Sequence, residues 1–196
     1  MTMPSDQSLY RAMQSADEKD QVGYTRHLCE RYLQDHPDHV PTLIRYACNL
    51  ISLAQYSAAQ AALDHAQPIA PKERSHLVIA QRGHLLEAQG DFVGAEELFM
   101  KAHELDPDDA TYLIYAASVA FRRGDISRAE ALARQATSCS DGCIDEAWFN
   151  LGGYLLSAKR YRDAADCYRR AIDIDPEYDI ARERLSDVEL ILQDNG

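Results

Sequence analysis

A chain of 196 residues with 46% hydrophobic side chains is long enough for one ordinary domain or a short repeat array with a real core. Its 32 acidic against 20 basic side chains give a formal net charge of -12, with no basic cluster to displace counterions from phosphates, so nucleic acid is excluded as the expected partner. The residues from Met1 to Asp6 lack the positive start and apolar run of a signal peptide, no stretch approaches the roughly 18 apolar residues of a membrane span, and five scattered cysteines make no disulfide framework. These features together predict a reduced, cytoplasmic protein without membrane insertion.

Turn and proline signals divide the chain in order. The first unit, residues 6–39, is closed by Pro37. The second, 40–75, turns at Ala54-Gln55-Tyr56 and closes at Pro71. The third, 76–109, turns at Gln89-Gly90-Asp91 and closes at Pro107. The fourth, 110–144, turns at Arg123-Gly124-Asp125 and has no closing proline, the turn from Ser138 to Cys143 taking its place. The fifth, 145–178, turns at Lys159-Arg160-Tyr161 and closes at Pro176. Each half-unit carries apolar residues at i, i+3, i+4 and i+7, which predicts an all-helical chain. The segment 179–193 reads as one more amphipathic helix, with Ile180, Leu185, Val188 and Ile191 inside and Arg182, Glu183, Asp187 and Glu189 outside, a solubilising cap.

Thr25, Ala59, Ala95, Ala129 and Ala164, each following a mid-unit turn, are spaced by 34, 36, 34 and 35 residues. That period, with Trp148, Leu151, Gly152, Ala164, Tyr168, Ala171 and Pro176 in the fifth unit and Gly83, Ala95, Phe99, Ala102 and Pro107 in the third, resembles the tetratricopeptide repeat family. Glycine and alanine permit close helix crossings, and Phe99 and Tyr168 fill the wider gaps. The first unit departs from the pattern, with Met13 and Thr25 at small positions, Cys29 for the aromatic and Tyr32 where alanine is usual.

The resemblance implies a right-handed superhelical solenoid of about five helix-turn-helix hairpins plus the capping helix, one domain over 1–196, whose concave groove is lined by first helices. Carried over by register, the groove side chains are Tyr10, Gln14, Ile44, Arg45, Cys48, His84, Glu87, Tyr115, Ser118, Phe121, Phe149, Asn150 and Gly153. Aromatic rings with a few polar anchors suit a peptide or amphipathic helix of another protein; alternatively Ile44, Phe121 and Phe149 belong to the packed interior. The two-carboxylate clamp of the co-chaperone members is not expected, because only Arg45 and Asn150 fall at such places, and Ile44, Cys48, Ala80 and Ile114 stand where cations or amides are needed. The asparagine ladder of the sugar-transferase superhelices is absent for the same reason.

Residues 76–109 carry 8 acidic against 2 basic side chains, including Glu87, Asp91, Glu96, Glu97, Glu104, Asp106, Asp108 and Asp109, either a solvated face or a field that steers a basic partner. No phosphate loop, nucleophile elbow or zinc motif is present, and neither Cys139 with Cys143 nor His36 with His39 has the spacing and further ligands of a metal or redox site, so no enzyme activity, cofactor or metal is expected. The expected function is an adaptor or scaffold. A client-holding chaperone resembling the type III secretion class is the alternative, and a non-catalytic or regulatory enzyme subunit the remote one. The first unit, expected to expose Leu9, Met13 and Leu28, also suits a homodimer through the N-terminal repeat.

Overall fold

Each turn signal ends a helix. The computed structural model describes residues 6–17, 19 and 21–194, and its helices group into two compact units, Met1–Asp91 and Phe92–Gly196. The stretch from Met1 to Ser5, read above as lacking signal-peptide features, lies outside the described residues. In the first unit α1 (Asp6–Asp17) pairs with α2 (Val22–Asp35) and α3 (Val40–Ser52) with α4 (Tyr56–Ile69); a short 3-10 turn, Lys72–Arg74, then leads into α5 (Ser75–Ala88). In the second unit α6 (Phe92–Leu105) packs on α7 (Thr111–Arg122), which pairs with α8 (Ile126–Ala136). The helices α9 (Ile144–Ser157) and α10 (Tyr161–Ile174) follow, and α11 (Asp179–Asp194) covers α10. Among the described residues the fold is all-α, with one isolated bridge between Asp109 and Asp141. No helix among them is long and apolar enough to cross a membrane.

The small residues set how closely the helices approach. Ala59, Ala62 and Ala66 of α4 are buried against Leu43, Ala47 and Leu50 of α3. A Cβ at Gly152 would lie 2.7 Å from the Tyr168 ring, so α9 and α10 cross with that buried ring pressed against bare backbone. Where the fourth unit lacks proline, α8 stops early and the following turn docks on the preceding inter-repeat loop. The Asp141 N–H donates to the Asp108 carbonyl at 3.0 Å, and the Ala110 N–H donates to the Asp141 carbonyl at 3.0 Å.

Two expectations about apolar faces are corrected. Leu9, Met13 and Leu28 are not an exposed patch: they are 9%, 0% and 4% exposed, enclosed between α1 and α2 together with Ala16 and Cys29. Ile180 does not lie inside the cap but is 54% exposed; Ala181 takes the buried place with Val188, because a methyl fits the α10 contact where a longer side chain would hold the helices apart.

Candidate functional site

Within each unit, first helices of successive hairpins touch: α3 meets α5, and α7 meets α9. Their outward arcs therefore form a wall in each unit, and the candidate residues lie on these arcs and on α1.

In the first unit, Tyr10 of α1 and Arg45 of α3 come together, the guanidinium 5.6 Å from the ring centroid, within cation–π range. Gln14 is exposed one turn beyond Tyr10, and Cys48 one turn beyond Arg45. Ile44 is half-buried against the α3–α4 core. On α5, His84 Nδ1 lies 3.3 Å from a Glu87 carboxylate oxygen. Sequence reasoning missed the partners of Tyr10. Its ring lies 6.1 Å from Tyr32 and meets His39 edge-on at 6.0 Å, while Tyr32 also contacts His36 at 4.5 Å and His39 at 5.2 Å. The signal was Tyr32 at an alanine position, since a ring there needs neighbours and the closing turn supplies two imidazoles. His39 Nδ1 is 2.8 Å from the Thr42 hydroxyl, and its pKa lies below the usual 6.5 through burial first, then the His36 and Arg74 charges.

In the second unit, Tyr115 is half-buried with its ring 5.3 Å from Phe99. Phe121, 36% exposed, packs 4.9 Å from Tyr154. Phe149 lies 5.6 Å from Tyr168 and 5.1 Å from Tyr178. Ser118, Asn150 and Gly153 are half-buried beside them. Phe121 and Phe149 thus each rest on another aromatic ring and keep part of their surface open. Tyr154 and Tyr178 were not singled out in the sequence; Tyr178 falls two residues past Pro176 and folds back on Phe149. Both phenols are pushed up to about 12. For Tyr154 the causes are burial and then Glu146; for Tyr178, burial and then Glu146, Asp145, Asp175 and Cys143.

The acidic run of 76–109 does not form one free face. Glu96 is buried between Arg128 Nε at 2.8 Å and Arg123 at 3.1 Å, beside a mixed-charge cleft of about 450 Å³ that also holds Glu97, Lys101 and Glu104. Asp109 accepts the Thr111 N–H at 2.8 Å. None of the five cysteines is in a disulfide, and burial, with nearby carboxylates, raises the thiol pKa of Cys139 and Cys143. Burial also pushes Cys167 up to about 11. These three remain thiols at neutral pH, poor nucleophiles and poor metal ligands. Among the described residues no group of three His, Cys, Asp or Glu side chains is arranged to hold a metal ion.

Family models of the tetratricopeptide repeat match residues 81–142 and 145–178. The chain is 30% identical over 101 residues to human tetratricopeptide repeat protein 7A, a match that covers 52% of this chain and 12% of that relative, so it spans a small part of the relative's length. Among solved structures, a tetratricopeptide repeat protein from Parabacteroides merdae superposes with a TM-score of 0.77 at 18% identity, covering 94% of this chain and 71% of that one. The first TPR of Spaghetti (RPAP3), solved bound to the HSP90 peptide SRMEEVD, superposes with a TM-score of 0.56 at 21% identity, covering 62% of this chain and 95% of that one.

Proposed function

Because this chain belongs to the tetratricopeptide repeat family, we propose that it is a non-enzymatic adaptor or scaffold of the cytoplasm that holds a peptide or helix of another protein on the wall made by the first helices α7 and α9. The observation that carries this reading is the row of part-exposed rings, Tyr115, Phe121 and Phe149, each seated on a second aromatic ring. Such rings are held in place before a partner arrives, so their contact area costs little ordering on binding. Half-buried Asn150 adds a side-chain amide able to satisfy a peptide backbone. A structural neighbour that itself holds a peptide supports the reading at the level of the fold.

The test compares affinity capture by the wild type with capture by a triple variant, Tyr115→Ala, Phe121→Ala and Phe149→Ala, after circular dichroism shows the variant folded. A protein retained by the wild type and lost by the variant is expected. Identical captures by both proteins would remove the wall as the binding surface.

A further inference from the structure

The α7–α9 wall combines its rings with carboxylates that have no cation of their own. Glu146 lies one turn before Phe149 and Asn150 on α9, so the three share an arc. Phe149 is in ring contact with Tyr178 at 5.1 Å, and the Glu146 charge is felt at the hydroxyls of both Tyr178 and Tyr154. Asp145 and Glu146 are half-buried, and no Lys or Arg among the described residues pairs with either. Five of the unit's arginines are engaged elsewhere: Arg123 and Arg128 on Glu96, Arg134 and Arg160 on Glu130, Arg169 on Glu189. Acidic side chains in a first helical turn do stabilise the helix end. That role does not require aromatic rings on the same arc of the helix. The exposed arc of α11 also sets apolar beside acidic side chains, with Ile180, Glu183, Asp187 and Leu190 at helical spacing and both apolar side chains more than half exposed, although Asp187 there pairs with Arg184 at 3.6 Å. From Phe92 to Asp194 the chain carries 21 acidic against 12 basic side chains, a field that attracts a cationic partner.

We propose that this wall takes a partner segment in which a Lys or Arg stands next to a large apolar side chain, the cation meeting Glu146 beside the tyrosine rings and the apolar group lying on Phe149. The proposal rests on the first-helix wall being the binding surface. Carboxylate and ring faces both favour a cation, and an acidic peptide would instead leave Glu146 facing like charge.

The full chain is panned against a random peptide library, and the best peptide is titrated into the wild type, the double variant Asp145→Asn with Glu146→Gln, and Phe149→Ala. The expected result is enrichment of Lys or Arg beside Phe, Leu or Trp. Neutralising the two carboxylates should weaken binding about tenfold, an effect that shrinks as salt is added. The near-isosteric substitutions keep side-chain shape, so the charge comparison stands even if Phe149→Ala disturbs folding. Selection of acidic or uncharged peptides, or an unchanged affinity in the neutralised variant, overturns the proposal. If Phe149→Ala still abolishes binding in that event, the wall remains the site and only its charge preference falls. If Phe149→Ala binds normally, or no peptide is enriched, the wall reading falls as well.

Discussion

Four mid-hairpin turns ask the same thing of one residue, a left-handed backbone. Gly90 and Gly124 adopt it at φ 85° and 86°, and at the equivalent places Ala54 and Lys159 adopt it at φ 56° and 60°. A Cβ in that region costs roughly 1–2 kcal/mol, partly offset by the extra freedom glycine gives the unfolded chain. Ala54→Gly and Lys159→Gly should therefore each stabilise the protein by about 0.5–1 kcal/mol, read as a higher urea midpoint. The adjacent glycines of α9 should respond in opposite directions. A methyl at Gly152 meets the buried Tyr168 ring at 2.7 Å and should cost ~1–3 kcal/mol. A methyl at Gly153 meets only the Tyr168 hydroxyl, at 3.9 Å, and should leave stability unchanged or raise it by up to ~1 kcal/mol. Fluorescence of Trp148, the single tryptophan, follows both denaturant titrations.

Where α1, α2 and α3 meet, the closing turn itself becomes part of the packing. His39 is held mainly by burial in its neutral form, so its folded pKa lies below the ordinary 6.5. The unfolded chain then binds more protons than the folded one as pH falls below about 6.5, and stability falls with it. The wild type should lose urea resistance between neutral pH and about pH 5 more steeply than His39→Asn; equal slopes would place the titrating group elsewhere. Asp64 and Glu130, whose arginine partners hold their carboxyls below the usual range, contribute stability that is lost only at more acidic pH, so the windows separate. The turn after α8 has its own device. Gly142 adopts φ 83° while the turn pairs with the preceding loop, and any Cβ there would strike the Asp109 carboxylate and crowd the Ala110 amide. The sequence showed that a proline was missing but not that another loop replaced its function, because that pairing joins residues some thirty positions apart.

Helix ends were legible because each is written in local chemistry: a proline past the last turn, a glycine in the left-handed region, alanines at a crossing. Side-chain neighbours were less legible. Tyr10 with Arg45 and Glu96 with Arg128 depend on how two helices cross, Phe149 with Tyr178 on where the turn after Pro176 folds, and apolar periodicity alone does not fix which side of the stripe faces the neighbour. The exposure of Ile180 in place of Ala181 is an error of that kind, one position around the helix. Helical-hairpin arrays are stabilised mostly through nearest neighbours, since each hairpin completes its core on the next. Damage should then stay local. In Gly152→Ala, which strains only the α9–α10 crossing, amide hydrogen exchange should accelerate across α9, α10 and the α11 that packs on α10. The α3–α4 hairpin, enclosed in its own core of Leu43, Leu50, Ala59 and Leu63, should keep wild-type protection. Exchange measured by mass spectrometry on peptides from both units tests this directly. A uniform rise would mean that the chain opens as a single cooperative body, and stability would then have to be assigned to the whole array instead of to neighbouring hairpins.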